Sequence, residues 1–250
     1  MVPFKGRFAS KTDIGLVRPS NEDKAISLMD THGNILLAVC DGMGGYMKGD
    51  FASKIAIDIL EAAFMSKARF VFEFQVKRWI AKMIKSINQA VFSEANNGDK
   101  FKGMGTTLCM AVLFKKKIFV CNVGDSRLYK VSPSELTQLT KDQTYVDYLY
   151  NIGKITEEEK KTRPERHVLM NAIGLKKTCN YKLDVYDNYV ETLILCSDGL
   201  YNNAQDKEIF SALTSQERLD QKINTLIGIA KSHGGSDNIG ISIWEPYSND

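Results

Sequence analysis

The sequence predicts a mixed α/β chain in which helices cover a sheet, and three observations lead there. Apolar runs too short for helices recur, and several stop at an aspartate beside glycine. Other stretches place apolar residues at the three- and four-residue spacing of a one-faced helix. The final run alternates, with Ile239, Ile241 and Ile243 sharing one face.

At 250 residues, 44% hydrophobic and 25% charged, the chain can bury a substantial core, and one domain spanning 1–250 is expected. No apolar run approaches the ~20 residues that cross a bilayer, and Met1 to Ser10 lack the apolar core of a signal peptide, so a cytoplasmic location is expected. Five cysteines are an odd number, and Cys40, Cys121 and Cys196 lie inside apolar runs, which argues against disulfides and a zinc cage. A net charge of +3 with interspersed signs makes no case for nucleic acid or membrane insertion, and Lys115, Lys116 and Lys117 read as a solvated hairpin turn.

Taken in order, Arg7 to Asp13 leads into a polar loop containing Arg18, Glu22 and Asp23. Lys24 to Met29, a turn at His32, Gly33 and Asn34, and the run from Ile35 form two strands. That second run reaches Asp41 at a strand end, then Gly42, Gly44 and Gly45, which permit close approach and positive φ. Asp50 is a candidate N-cap for a helix carrying Phe51, Ile55, Ile59 and Leu60. Val76, Ile80, Met83, Ile84, Ile87 and Val91 mark a second helix.

A strand block follows: Leu108 to Phe114, Ile118 to Val123, and Leu128 to Val131, with Gly124 and Asp125 between the last two. Taken alone, Asp125 there reads as part of a tight hairpin. From about 140 to 174 the composition turns polar, with Thr156 capping a short helix and Pro164 interrupting it, as in an inserted flap. Tyr181 to Val185 and the run ending at Asp198 resume the sheet. Leu219, Ile223, Leu226, Ile227 and Ala230 form a last helix before Asp237 and the final strand.

Asp41, Asp125, Asp198 and Asp237 thus each stand beside glycine at a strand end or in a glycine turn. If they converge at one end of the sheet structure, their mutual repulsion calls for a cation. An all-oxygen set selects Mg²⁺ or Mn²⁺ over Zn²⁺, and of the three histidines only His233 lies near one of these motifs, where it reads as a turn residue.

The motifs N-E-D at 21–23, D-G-M-G-G at 41–45, G-M-G-T-T at 103–107, G-D-S-R at 124–127, S-D-G at 197–199 and G-G-S-D-N at 234–238 occur in series. In that order, over nearly the whole chain, they resemble the bacterial branch of the protein phosphatase 2C family of metal-dependent Ser/Thr phosphatases. The resemblance implies a four-layer α-β-β-α sandwich, two packed antiparallel sheets flanked by helices. It also implies two tightly bound Mn²⁺ or Mg²⁺ ions and a weaker third. Asp41 would bridge the pair, the Gly42 carbonyl would bind one ion, and Asp198 and Asp237 would complete the other. Asp125, with Asp198, would hold the third. Glu22 and Asp23 would hold waters bound to those ions, and Arg18 would grip the substrate phosphate.

The implied function is hydrolysis of phosphoserine and phosphothreonine by a hydroxide bridging two ions, with phosphorylated proteins as partners and a cytosolic Ser/Thr kinase as the opposing enzyme. A monomer is expected. A catalytically silent phosphoprotein-binding scaffold and a small-molecule phosphomonoesterase are the alternatives. Three positions depart from the wider pattern: Met43 replaces the histidine of eukaryotic members, and Gln143 and Asn171 stand where many bacterial relatives carry His and Arg. These bear on the flap and on the proton donor.

Overall fold

The architecture follows from strands with two apolar faces. In a computed structural model describing residues 4–44, 48–66, 69–187 and 191–247, β3 (Ile35–Met43) pairs with β2 (Asp23–Met29) and β5 (Leu108–Phe114). Leu36, Ala38 and Cys40 pack toward the helices, while Ile35, Leu37 and Val39 pack into a second core between sheets. An alternating strand with one wet face would not need both sets.

Completing that sheet are β4 (Gly105–Thr106), β6 (Lys117–Val123) and β9 (Lys182–Asp187), in the order β2-β3-β5-β6-β9 with β4 on β3. The other sheet runs β1-β11-β10-β7-β8, built from β1 (Gly6–Asp13), β7 (Arg127–Val131), β8 (Leu136–Gln138), β10 (Thr192–Cys196) and β11 (Ile239–Pro246). All pairings are antiparallel. The two sheets enclose Leu37, Val39, Cys109, Leu128, Leu195 and Trp244.

Helices α1 (Lys48–Met65) and α2 (Glu73–Ala95) cover the first sheet with Ala56, Leu60, Ile80, Ile84, Ile87 and Val91. The second is covered by α6 (Asp206–Thr214) and α7 (Leu219–Ser232), meeting Ile239, Ile241 and Ile243 of β11. Burying each such Leu or Ile contributes about 1.5–3 kcal/mol. Cys40, Cys109, Cys121 and Cys196 are buried thiols within these cores.

Four local expectations change. β3 continues through Asp41 to Met43, because β4 pairs with Gly42 and Met43. Asp50 is not the cap of α1 but lies in its first turn, as an ion-pair partner of Lys24. Helix α1 starts earlier because Gly49 packs on Gly42 backbone to backbone; a Cβ on Gly42 would lie 2.1 Å from the Gly49 carbonyl oxygen. Positive φ appears at Gly44 and not at Gly42, and Gly45 falls outside the described residues. Finally, β6 and β7 belong to different sheets, so Gly124–Asp125–Ser126 is no hairpin turn but a crossing between sheets.

The flap contains the Thr156-capped helix α4 (Glu157–Thr162), with the expected Glu159 capping box. Pro164 opens a 3-10 turn, Pro164–His167. An unforeseen helix, α3 (Tyr145–Asn151), begins at Thr144, whose hydroxyl accepts from the Asp147 amide. A bridge between Thr106 and Ile173 fastens the flap to the body, and one between Thr144 and Leu169 ties the flap's two arms together.

Candidate active site

The strand register brings the acids together. Asp23 and Asp41 face one another across β2 and β3, one step beyond the inward-facing pair Ala25 and Val39. In the other sheet Leu193 and Leu195 point inward, and Ser197 continues that face just before α5 (Asp198–Tyr201). The Ser197 hydroxyl donates to Asp23 Oδ2 at 2.6 Å and accepts the Gly240 amide at 2.8 Å, joining the sheets. Gly199 lies so close to Asn238 that a Cβ would sit 1.9 Å from its carbonyl oxygen.

At this end opens a cleft of about 670 Å³ lined by Arg18, Glu22, Asp41, Gly42, Asp125, Asp198 and Asp237. Every candidate except Asp23 lines it; Asp23 is 1% exposed beneath. A larger cavity of about 830 Å³ between α2 and residues 177–181 lacks acids, so chemistry rather than size selects the cleft.

Backbone bonds fix Asp41: its amide donates to Thr107 Oγ1, its carbonyl accepts the Thr107 amide, and Thr107 Oγ1 meets Ser126 Oγ at 2.7 Å. Arg18 donates to Asp237 Oδ2 at 2.7 Å. Asp125 is held by its carbonyl, which accepts the Tyr201 hydroxyl at 3.1 Å.

Crowding shifts the acids upward. Burial, reinforced by Asp23, Asp198, Asp125 and Asp237, holds Asp41 well above the usual carboxylate range. Burial pushes Asp23 to about 8 despite the Ser197 hydrogen bond, with Asp198 and Asp237 adding to it. Burial and Asp198 put Asp125 at about 7. Asp237 is raised by burial and Asp198, against the opposing pull of Arg18.

A model of the family described as Protein phosphatase 2C matches residues 19–227. This chain belongs to the protein phosphatase 2C family. The phosphatase is 34% identical over 241 residues to "Serine/threonine phosphatase stp" of Listeria welshimeri, covering 94% of each chain. It is 30% identical to "Protein phosphatase PhpP" of Streptococcus pneumoniae, covering 93% of this chain and 94% of the relative. Its fold matches the crystal structure of serine/threonine phosphatase Stp1 from Staphylococcus aureus with a TM-score of 0.91 and 31% identity, covering 98% and 96% of the two chains.

The phosphatase offers a donor set suited to hard divalent cations. Its cleft acids are all oxygen donors, and among the described residues no hydrogen bond reaches the Asp41 carboxylate. The set is not pre-closed: no three acidic, histidine or cysteine side chains among the described residues form a ready ion cage. Asp237 is drawn to Arg18, and Asp198 accepts from Asn202 and faces His167. Cation charge would draw these carboxylates inward and offset the repulsion among the cleft acids.

Four residues of the phosphatase escaped the sequence reading. Ser197 and Asn238 lie inside quoted motifs, yet their neighbours do not reveal their contacts. Asn238 Oδ1 accepts the Glu22 amide, and its Nδ2 donates to the carbonyls of Ile14 and Ser20, stapling the loop that carries Arg18. Arg127 grips Asp142 through Nε and Nη2 and stacks 3.5 Å from the Tyr201 ring centre. The flap brings His167 Nδ1 to 3.7 Å from Asp198 Oδ2, and that carboxylate raises the imidazole pKa. No local signal in the sequence links His167 to Asp198, a residue thirty-one positions away.

Proposed function

We propose that the protein hydrolyses phosphoserine and phosphothreonine on phosphorylated proteins, opposing a Ser/Thr kinase. The observation that supports this reading is one cleft that Asp41, Asp125, Asp198 and Asp237 line together with Arg18, whose guanidinium feels Asp237, Asp198 and Asp41. We take 1–250 as one catalytic domain with a flap at about 140–174, working as a cytoplasmic monomer.

Asp41, the Gly42 carbonyl, Asp198 and Asp237 would hold two Mn²⁺ or Mg²⁺ ions, and Asp125 with Asp198 a weaker third. Bound there, the cations supply Lewis acidity that acidifies water and stabilises charge on phosphoryl oxygens. Arg18 turns from Asp237 to clamp two phosphate oxygens, which its planar fork suits better than a lysine ammonium. Glu22 carries its carboxylate at the cleft wall, where it orients water. Asp23, anchored by Ser197, fixes the spacing of the sheets beneath Asp41. Met43 has no proton to give the leaving oxygen, so the donor must come from elsewhere in the cleft.

Phosphate release from a phosphothreonine peptide and from p-nitrophenyl phosphate, with Mn²⁺ and with chelator, tests the reading. Cation-dependent release from the peptide is expected. Silence on both substrates would instead favour the phosphoprotein-binding scaffold. Turnover confined to small phosphomonoesters would favour a metabolite phosphatase.

A further inference from the structure

The end of the sandwich farthest from the carboxylates carries an apolar projection that the fold leaves uncovered. Val71, Phe72 and Phe74 are 44%, 58% and 61% exposed, and the two phenyl rings stack with centroids 5.8 Å apart. Met65, closing α1, and Met29, closing β2, are about half exposed at the same end.

The projection is firmly mounted. Phe70 is buried edge-on against Trp79 and Phe114, at 6.0 and 5.9 Å, and Phe64 meets Trp79 at 5.8 Å. The amides of Val71 and Phe72 both donate to Gln75 Oε1, and Lys115 Nζ donates to the Val71 carbonyl at 2.7 Å. Exposed rings held this way keep an unfavourable contact with water that an apolar surface would relieve.

Cations surround the rings. Lys77 and Arg78 lie one helical turn from Phe74, Arg78 and Lys82 share a recess with it, and Lys115 and Lys116 form the adjoining turn between β5 and β6. Lys77, Arg78, Lys82 and Lys116 are exposed and in no ion pair among the described residues. The neighbouring acids Glu73 and Asp187 both face Lys117.

We propose that this end docks the protein on the surface of an anionic lipid bilayer. Phe72 and Phe74 enter the boundary between headgroups and acyl chains, and Lys77, Arg78, Lys115 and Lys116 meet lipid phosphates. Charge complementarity favours this occupant over a second copy of the chain, because two such cationic tips repel. The docking is peripheral: no helix among the described residues is long and apolar enough to cross a membrane. From Lys117 along β6 to Asp125 the chain advances roughly 25 Å at about 3.3 Å per residue, so the cleft faces away from the lipid. The protein would then work on phosphoproteins held at the same membrane. The docking itself does not rest on the catalytic reading.

Co-sedimentation of the full chain with mixed phosphatidylglycerol–phosphatidylcholine vesicles, against pure phosphatidylcholine, tests the proposal. Binding to the anionic vesicles alone is expected, reduced roughly tenfold or more by Phe72→Ser with Phe74→Ser and by Lys115→Glu with Lys116→Glu. Added salt should weaken it, and both double variants should keep wild-type circular dichroism and turnover of p-nitrophenyl phosphate. Equal binding to neutral vesicles, undiminished binding by both variants, or no binding by the wild type would overturn it. So would self-association that the Phe72 and Phe74 changes abolish while vesicles bind nothing, since the tip would then belong to a second copy.

Discussion

Asp23 and Asp41 stand directly opposite one another in the register of β2 and β3, two carboxylates paired across a ladder at the mouth of the inter-sheet core. Like charges so placed destabilise the strand pair unless protonated or neutralised. For Asp23 and Asp125 the folded pKa values, about 8 and about 7, exceed the ordinary aspartate value of 3.8, so the folded state binds more protons between those limits.

Stability of the metal-free protein should therefore be greatest at low pH as far as these groups are concerned, and fall as pH rises from about 4 to about 8. The limiting slope is about 1.4 kcal/mol per pH unit for each extra proton held. Urea unfolding in chelator at pH 6 and pH 8 checks the sign. Asp41→Asn should abolish turnover yet stabilise the metal-free protein at pH 8 by about 1 kcal/mol or more. Retention of more than a small fraction of the wild-type rate at saturating Mn²⁺ would overturn the role given to Asp41.

Arg18→Ala should raise KM more than it weakens Mn²⁺ binding, because a phosphomonoester carries roughly −1.5 to −2 charge and the lost contact is charge-assisted. Steady-state kinetics beside calorimetric Mn²⁺ titration separates the two. An unchanged KM with lost Mn²⁺ affinity would make Arg18 a partner of Asp237 alone.

Asp125→Ala should leave two cations tightly bound yet remove most activity. The loss should be larger on a phosphoserine peptide, whose alkoxide leaving group needs a proton, than on p-nitrophenyl phosphate, whose leaving group hardly does. Equal losses on both substrates would assign Asp125 to positioning only.

Arg127→Ala strips the cationic partner from Asp142, whose side chain is 7% exposed and would keep the Gln138 side-chain amide, and the stacking partner from Tyr201. A cost of about 3–5 kcal/mol is expected in chemical denaturation, with kcat falling because Tyr201 holds the Asp125 carbonyl. Arg127→Lys should recover part of the stability through its charge, without the fork on Asp142. A lysine variant as stable and active as wild type would show that the fork is dispensable.

Asp41 and Asp198 were legible because each follows an apolar run and stands beside glycine, and Asp237 because it closes a Gly-Gly-Ser turn just before one. The sheet to which a run belongs leaves no such mark. Asp125 therefore read equally as a hairpin residue, although β7 pairs with β10 rather than β6. Asp50 misled because a backbone-to-backbone contact, Gly42 against Gly49, starts α1 before the first good capping residue. Helix α6 escaped because only Ile209, Ala212 and Leu213 of its nine residues are buried. His167 and Ser197 act through partners far away in sequence, and composition near them carries no trace of that.

The strand β11 lies between β1 and β10, with Asp237 and Asn238 at its threshold. During synthesis, a chain that has emerged only as far as Ser232 holds Asp41, Asp125 and Asp198 but keeps β1 and β10 apart, their shared neighbour missing. The loop of Arg18 then lacks its staple, and the Ser197 hydroxyl lacks the Gly240 amide. The cleft is thus completed only once β11 has been made, and ribosome-arrested chains ending before Ile239 should stay protease-sensitive throughout the second sheet.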